Sequence, residues 1–342
     1  MQAYKKRYFA AANTPDGFIS YYDNVFGDLK KIYVIKGGPG TGKSRFMQDI
    51  GERAEANGKS VEYFYCSFDP DSLDGIIINN DCAVIDGTAP HVYEPRIPGA
   101  VDETVDLSRF WNSDVLKESS RRLRELNGQK SRCFELTYFY LSAIGRIFEL
   151  NKHSLKKCIK KSTFKEKIHQ IIRCDGDMIC RAELRIRSAF GKMGTVQFST
   201  YEDIADKVCA LSDEYDTLIS GELIDLLMRE FRREKILRYY SYSPFEKNMP
   251  DALILLDKTA ITVKDVKGDF DVSEFMDSGF NRIMPMLKEN REIKETLLSC
   301  AKKQFGLAAE IHGEIEKIYV SAMDFNAKEK FTGEIAEKII FC

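Results

Sequence analysis

Short runs of β-branched and apolar residues alternate with amphipathic stretches over the first hundred positions, a pattern that predicts an α/β core. "KKIYVIKG" places Ile32 to Ile35 in a compact apolar run, the signature of a buried strand. "SRFMQDIGERAEANGKS" follows, with Phe46, Ile50 and Ala54 at helical spacing and a stop signal at Asn57-Gly58. A second strand is expected from Val61 to Cys66, and two more in "IIIN" and "CAVID". From Lys117 to Arg173 the pattern changes to long helices, with "LTYFYLSAIGRIFEL" supplying an apolar face.

The pattern then recurs. "VEYFYCSFDPDSLDGIII" has a counterpart in "ILRYYSYSPFEKNMPDALIL", and "VDETVDLSRFWNSD" in "VKGDFDVSEFMDSG". "RYFAAANTPDGFISYYDN" is echoed by "RSAFGKMGTVQFSTYEDI", and "TFKEKIHQII" by "EKFTGEIAEKII". The matches fall in the same order, which predicts two tandem units over residues 1–186 and 187–342. In the first, an α/β core spans 1–112 and a basic helical extension spans 113–186. In the second, "DTLISGELIDLLMREFRREK" takes the strand–loop–helix position, with a strand expected to end near Ser220 and run through Gly221 into a helix. Arg229, Arg232 and Arg233 on that helix read either as a solvated face or as a source of an arginine finger.

Between the first strand and its helix lies Gly37-Gly38-Pro39-Gly40-Thr41-Gly42-Lys43-Ser44, which fits G-x-x-x-x-G-K-[ST] without a mismatch. The physical logic is direct. Glycines let backbone N–H groups turn inward, and the following helix adds positive partial charge at its amino end. Lys43 is placed to reach the β- and γ-phosphates of a nucleoside triphosphate, and Ser44 to ligate Mg²⁺; Arg45 completes the binding segment. The expected fold class is therefore a P-loop NTPase, a parallel sheet flanked by helices, duplicated and carrying helical extensions. No G-K-[ST] occurs after residue 187, so the second unit is expected to lack nucleotide binding of this kind.

Acids and hydroxyls cluster beyond the loop. "CAVID" ends in Asp86, a candidate second ligand for the magnesium or a turn residue before Gly87. Gly87 stands where fast ATPases often carry a carboxylate that positions water, which implies slow hydrolysis or another orienting group. Thr88 and His91 are the nearest candidates, His91 reading equally as a loop histidine. Asp69 and Asp71, with Asp74, fall at the carboxyl end of the second strand, where ligands bind open parallel sheets. They are suited to grip a substrate hydroxyl, to assist the metal or to cap a helix starting near Ser72.

Composition narrows the class. The 342 residues are 44% hydrophobic and 30% charged, as in soluble globular proteins of about two domains. There is no apolar run of membrane-spanning length and no secretory h-region, so a cytoplasmic protein without membrane association is expected. Nine cysteines form no CxxC pair, which predicts reduced thiols and offers no zinc motif. Charge is uneven: the helices of 117–173 carry fifteen Lys and Arg against five acids in a chain of net charge −2. That stretch suits an anionic partner, nucleic acid included, or a face docked on the acidic second unit.

"IYVIKGGPGTGKS", "FDPDSLDGIII", "DGTAPHVYEPRIPGAVDETVDL" and "EIEKIYVSAMDF" together resemble an uncharacterised bacterial family of tandem-repeat P-loop ATPases, labelled ATPase or nucleotide-kinase-like. The resemblance spans essentially the whole chain and is strongest from Arg7 to Trp111. It implies nucleotide binding at Gly37 to Ser44 and makes Asp69, Asp71, Asp86, Thr88 and His91 parts of signature segments. The family's second half can retain a phosphate loop, and this chain departs there. The expected function is a Mg²⁺-dependent ATP-binding protein, a slow ATPase or switch with one active loop. The alternatives are a small-molecule or nucleotide kinase and a nucleotide-regulated nucleic-acid-binding protein. "N-K-x-D" is absent, which favours ATP over GTP.

Overall fold

A computed structural model describes residues 5–171, 181–214, 218–264 and 268–340. The first half opens with β1 (Lys6–Phe9), the hairpin β2 (Ala11–Thr14) and β3 (Gly17–Ser20), and the short α1 (Tyr22–Phe26). β4 (Lys31–Lys36), α2 (Lys43–Ala56), β5 (Val61–Tyr65), β6 (Leu73–Ile78), β7 (Cys82–Asp86) and β8 (Asp102–Asp106) complete the first sheet and its helix. Three helices follow, α3 (Ser113–Glu118), α4 (Ser120–Leu155) and α5 (Lys161–Ile171).

The second half repeats the plan. β9 (Glu183–Leu184) leads to the hairpin β10 (Ser188–Gly191) and β11 (Gly194–Gln197), then α6 (Thr200–Ile204), β12 (Lys207–Ser212) and α7 (Leu218–Arg233). β13 (Leu237–Tyr242), β14 (Pro250–Leu255), β15 (Thr259–Lys264) and β16 (Phe270–Asp271) precede α8 (Phe280–Ser321) and α9 (Phe325–Ile340).

The two sheets have one topology. The first runs β1-β5-β6-β7-β4-β8, and the second, from the opposite edge, β9-β13-β14-β15-β12-β16. In each, the strand before the first long helix has parallel neighbours on both sides: β7 and β8 flank β4, and β15 and β16 flank β12. Each also carries an antiparallel trio, β5-β6-β7 and β13-β14-β15. β9 pairs with β13, so the second sheet begins at Glu183 rather than after residue 187.

Burial explains why these segments hold. β4 and β6 are almost wholly buried, as strands covered on both faces must be. Tyr33, Ile35, Phe46, Met47 and Ile50 pack α2 on one face of the first sheet. On the other face Tyr8, Phe26, Phe64 and Ile77 meet Tyr239, Ala252 and Ile254 of the second sheet, so the sheets share a core. A buried ion pair, Arg185 to Glu62 at 2.9 Å, crosses that joint.

Each half lends its last helix to the other. α9 packs on the first sheet through Ala336, Ile339 and Ile340, whereas α5 packs on the second through Phe164 and Ile168. The exchange uses the same bonds twice. Asn112 N donates to Ala322 O (2.7 Å) and Asp324 N to Phe110 O (3.0 Å); Asp277 N donates to Cys158 O (2.8 Å) and Lys160 N to Phe275 O (2.7 Å). α4 and α8 lie side by side, and the pairs Arg122–Glu314, Thr137–Ala301 and Asn151–Asn290 run in opposite order, so they are antiparallel.

Two local expectations are corrected. No helix starts near Ser72: Asp69 O accepts from Ser72 N in a turn, and the β-branched run Ile76 to Ile78 continues as strand β6. Ser220 and Gly221 sit inside α7, and the preceding strand ends at Ser212. Gly221 is there for packing, because a β-carbon would lie 2.3 Å from Met249 Sδ. Arg173, Cys174, Cys180 and Cys342 lie outside the described residues. Cys66, Cys82, Cys133, Cys158, Cys209 and Cys300 form no disulfide. Among the described residues no helix is long and apolar enough to cross a membrane.

Candidate functional site

The glycine-rich loop joins β4, the strand with two parallel neighbours, to the amino end of α2. Gly40 and Gly42 adopt φ of +69° and +81°, left-handed values open to glycine and strained for other residues. Thr41 Oγ1 donates to Gly38 O at 2.9 Å and tightens the turn. Lys43 folds back and donates to Gly37 O (2.8 Å) and Gly38 O (2.9 Å). Its Nζ lies 3.5 Å from Asp86 Oδ2. Ser44 Oγ accepts from Leu73 N at 2.9 Å, which ties the start of α2 to β6.

Asp86 closes β7, beside the loop strand. Its Oδ1 accepts from Thr88 N (2.9 Å) and Thr88 Oγ1 (2.5 Å), so Thr88 serves to orient Asp86. Burial raises the Asp86 pKa, and Lys43 and Thr88 oppose that rise by favouring the carboxylate. Gly87 has a steric reason: a β-carbon would lie 2.3 Å from Val34 Cγ1, so no carboxylate-bearing residue fits after Asp86. On the other flank of β4, Asp106 repeats the device, accepting from Ser108 N (2.8 Å) and Ser108 Oγ (2.5 Å). "VIDGT" and "TVDLS" share the D-x-[ST] spacing, a signal that makes Asp106 findable from sequence.

His91 does not face the loop lysine. It is buried, stacked on Tyr22 with centroids 5.0 Å apart, and its Nε2 is 3.0 Å from Asp74 Oδ2. Burial lowers its pKa, but the Asp74 carboxylate outweighs that effect and the net direction is upward. Burial pushes the neighbouring Cys66 thiol well above its ordinary range, and Asp74 adds to the rise. Asp69 is engaged by Lys192 Nζ at 2.7 Å, and Asp71, more exposed, lies 3.9 Å from the same ammonium. The structure therefore brings Lys43, Asp86 and Thr88 together, ties Ser44 to Leu73, sets His91 against Asp74, and gives Asp69 and Asp71 to a lysine of the other half.

Several neighbours of the loop come from distant sequence. A β-carbon at Gly38 would lie 3.1 Å from both Trp111 and Tyr319, and one at Gly40 would lie 2.9 Å from Val320. One at Gly42 would lie 3.1 Å from Lys328 Nζ of α9. His312 on α8 is pushed down to about 4, by burial first and then by Lys130, with Lys43 and Lys192 adding to the effect. Tyr319, Val320, His312 and Lys328 carry no local signal, since α8 and α9 belong to the second half of the chain.

Several of the remaining candidates have partners elsewhere. Arg229 pairs with Asp225 on its own helix at 2.6 Å, and Arg232 lies over the Tyr240 ring. Of the basic stretch, Lys152 meets Glu222 and Glu246, Lys165 meets Glu230, and Lys167 meets Glu274, all acids of the second half. A groove of about 300 Å³ lies between the β2–β3 turn, α4 and Phe245 to Lys247, and no residue of the glycine-rich loop lines it.

Compared with known proteins, the chain matches no family model, no curated sequence and no solved structure.

Proposed function

We propose that the first half binds one nucleoside triphosphate with Mg²⁺, ATP being the expected nucleotide, and hydrolyses it slowly as a switch read by α8 and α9. The observation that carries this reading is the loop itself: G-x-x-x-x-G-K-S with left-handed Gly40 and Gly42, set between a buried parallel strand and a helix amino end. The amides of Gly38 to Ser44 would donate to phosphate oxygens, and Lys43 would exchange its two carbonyl partners for them. Asp86, oriented by Thr88, and the Ser44 hydroxyl are oxygen donors of the kind Mg²⁺ selects; they would hold the ion, which supplies charge neutralisation on the triphosphate.

Slow turnover follows from the neighbours. Thr88 is spent on Asp86, His91 is buried against Asp74, and Gly87 has no room for a carboxylate, so none of the three is available to orient water. The switch part rests on Tyr319, Val320 and Lys328, which crowd Gly38, Gly40 and Gly42, so a ligand in the loop changes what α8 and α9 touch.

The test is phosphate release and thermal stability of the wild type and Lys43→Ala with MgATP. At a hundred times Kd the nucleotide should stabilise the wild type by about 2.7 kcal/mol and the variant by far less. Equal shifts in both proteins remove the loop from the account. Transfer of labelled γ-phosphate to a metabolite instead of water would replace the switch with a kinase.

A further inference from the structure

Cys66, Asp74 and His91 come from three segments, the end of β5, the start of β6 and the loop after β7. One donor atom from each lies within 4.8 Å of the other two. His91 is 4% exposed and Asp74 5%. The His91 Nε2 and Asp74 Oδ2 atoms are 3.0 Å apart, an ion-pairing distance, yet Asp74 Oδ2 makes no hydrogen bond, and neither does His91 Nδ1. A buried carboxylate oxygen without a donor is costly. Three donor atoms from three segments, mutually within 4.8 Å, have the spacing that ligands around a common centre present.

We propose that Cys66, Asp74 and His91 form a metal site, with Zn²⁺ the ion its chemistry selects. A thiolate, an imidazole and a carboxylate are the mixed S/N/O set of zinc, whereas calcium and magnesium take oxygen alone. The thiolate and carboxylate together balance the ion's two positive charges, so the buried group is neutral overall. On binding, the Cys66 thiol loses its proton to solvent and a sulfur–metal bond forms; no redox change occurs. Three protein ligands leave the fourth tetrahedral position to a water oxygen.

The second half supplies an internal control. Tyr242 pairs with Pro250 as Tyr65 pairs with Leu73, so Ser243 stands in place of Cys66 and Asp251 in place of Asp74. There the acid accepts from Ser188 Oγ at 2.6 Å and faces the buried Arg187 at 3.8 Å. The second sheet thus gives one oxygen of its acid to a hydroxyl while Asp251 Oδ1 has no hydrogen-bond partner, and the thiol–imidazole–carboxylate set occurs in the half with the glycine-rich loop. The metal would also fix the segment bearing Asp86 and Thr88, because His91 N donates to Thr88 O at 2.9 Å. This site does not depend on nucleotide binding.

The experiment uses the full chain, stripped with a chelator and titrated with Co²⁺ and Zn²⁺. One equivalent of Co²⁺ should produce a thiolate-to-metal charge-transfer absorption, Zn²⁺ should displace it stoichiometrically, and Zn²⁺ should raise the melting temperature. Cys66→Ser, the residue the second half tolerates at this position, should abolish the band while Lys43→Ala keeps it. His91→Gln should weaken Co²⁺ binding by roughly 10-fold or more, the scale at which even outer-shell changes act. A wild type with no thiolate band, or a band that persists in Cys66→Ser, overturns the proposal. Should Cys66→Ser not fold, Asp74→Asn decides by the same readout: loss of metal binding supports the site and unchanged binding refutes it.

Discussion

The same strand order is built twice in this chain, yet the two helix amino ends next to the central strands are treated in opposite ways. In the first half, α2 begins after a glycine-rich turn whose only cation, Lys43, is held by backbone carbonyls and faces Asp86. In the second, the carboxylate of Asp213 accepts from Ser220 N (2.8 Å) and Ser220 Oγ (2.9 Å), both in the first turn of α7. The second half carries its own anion here, where the proposal has a ligand bring one to the first. A helix amino end needs a negative partner, and either a side chain or a ligand can provide it. The lesson is that the fold does not require the loop: the shared core survives with the site filled from within.

Changes at the joint and in the two helix starts sharpen this contrast. The largest stability effect is expected at the joint, where Glu62→Ala leaves Arg185 buried with Glu183 as its remaining carboxylate partner. That should cost about 3 kcal/mol in chemical denaturation, the low end for breaking a buried pair, and a loss below about 1 kcal/mol would mean the halves do not fold as one unit. Next comes Lys43→Ala, expected to lower any ATP turnover by roughly 10²–10³-fold with little change in stability without nucleotide. Gly87→Ala should destabilise by about 1–3 kcal/mol through the Val34 contact.

Asp213→Ala addresses the comparison itself. It should cost about 1–2 kcal/mol by unsatisfying the start of α7, and nucleotide affinity should stay at its wild-type value. A change in nucleotide affinity on that substitution would place the ligand in the second half.

A pH-dependent effect concerns His312, whose folded pKa of about 4 is depressed by burial and by Lys130. The unfolded imidazole titrates near 6.5, so it takes up a proton first as pH falls. The contribution of His312 to stability is full above about pH 6.5 and is lost as pH falls toward 4. His312→Gln should flatten that part of the stability–pH curve; an identical slope in the variant removes His312 as its source.

Local chemistry made part of this legible in the sequence. The loop, β4, α2 and Asn57-Gly58 are all short-range signals, and the duplicated order of elements is visible because both halves bury the same alternating faces. What stayed hidden depends on long sequence separation. The exchange of α5 and α9 is set by backbone bonds between residues such as Asn112 and Ala322, which no periodicity encodes. Lys192 reaches Asp69 from the other half, and Cys66, Asp74 and His91 meet only once β5, β6 and β7 pair. The basic helices show the same limit. Their charge was readable, but the acids that meet Lys152, Lys165 and Lys167 lie 65 to 107 positions away.

Calorimetric titration of the whole chain with MgATP tests the asymmetry of the two halves most directly. The account predicts one site per chain, lost in Lys43→Ala and retained in Asp213→Ala. Two sites per chain, or no heat at millimolar nucleotide in the wild type, would contradict it.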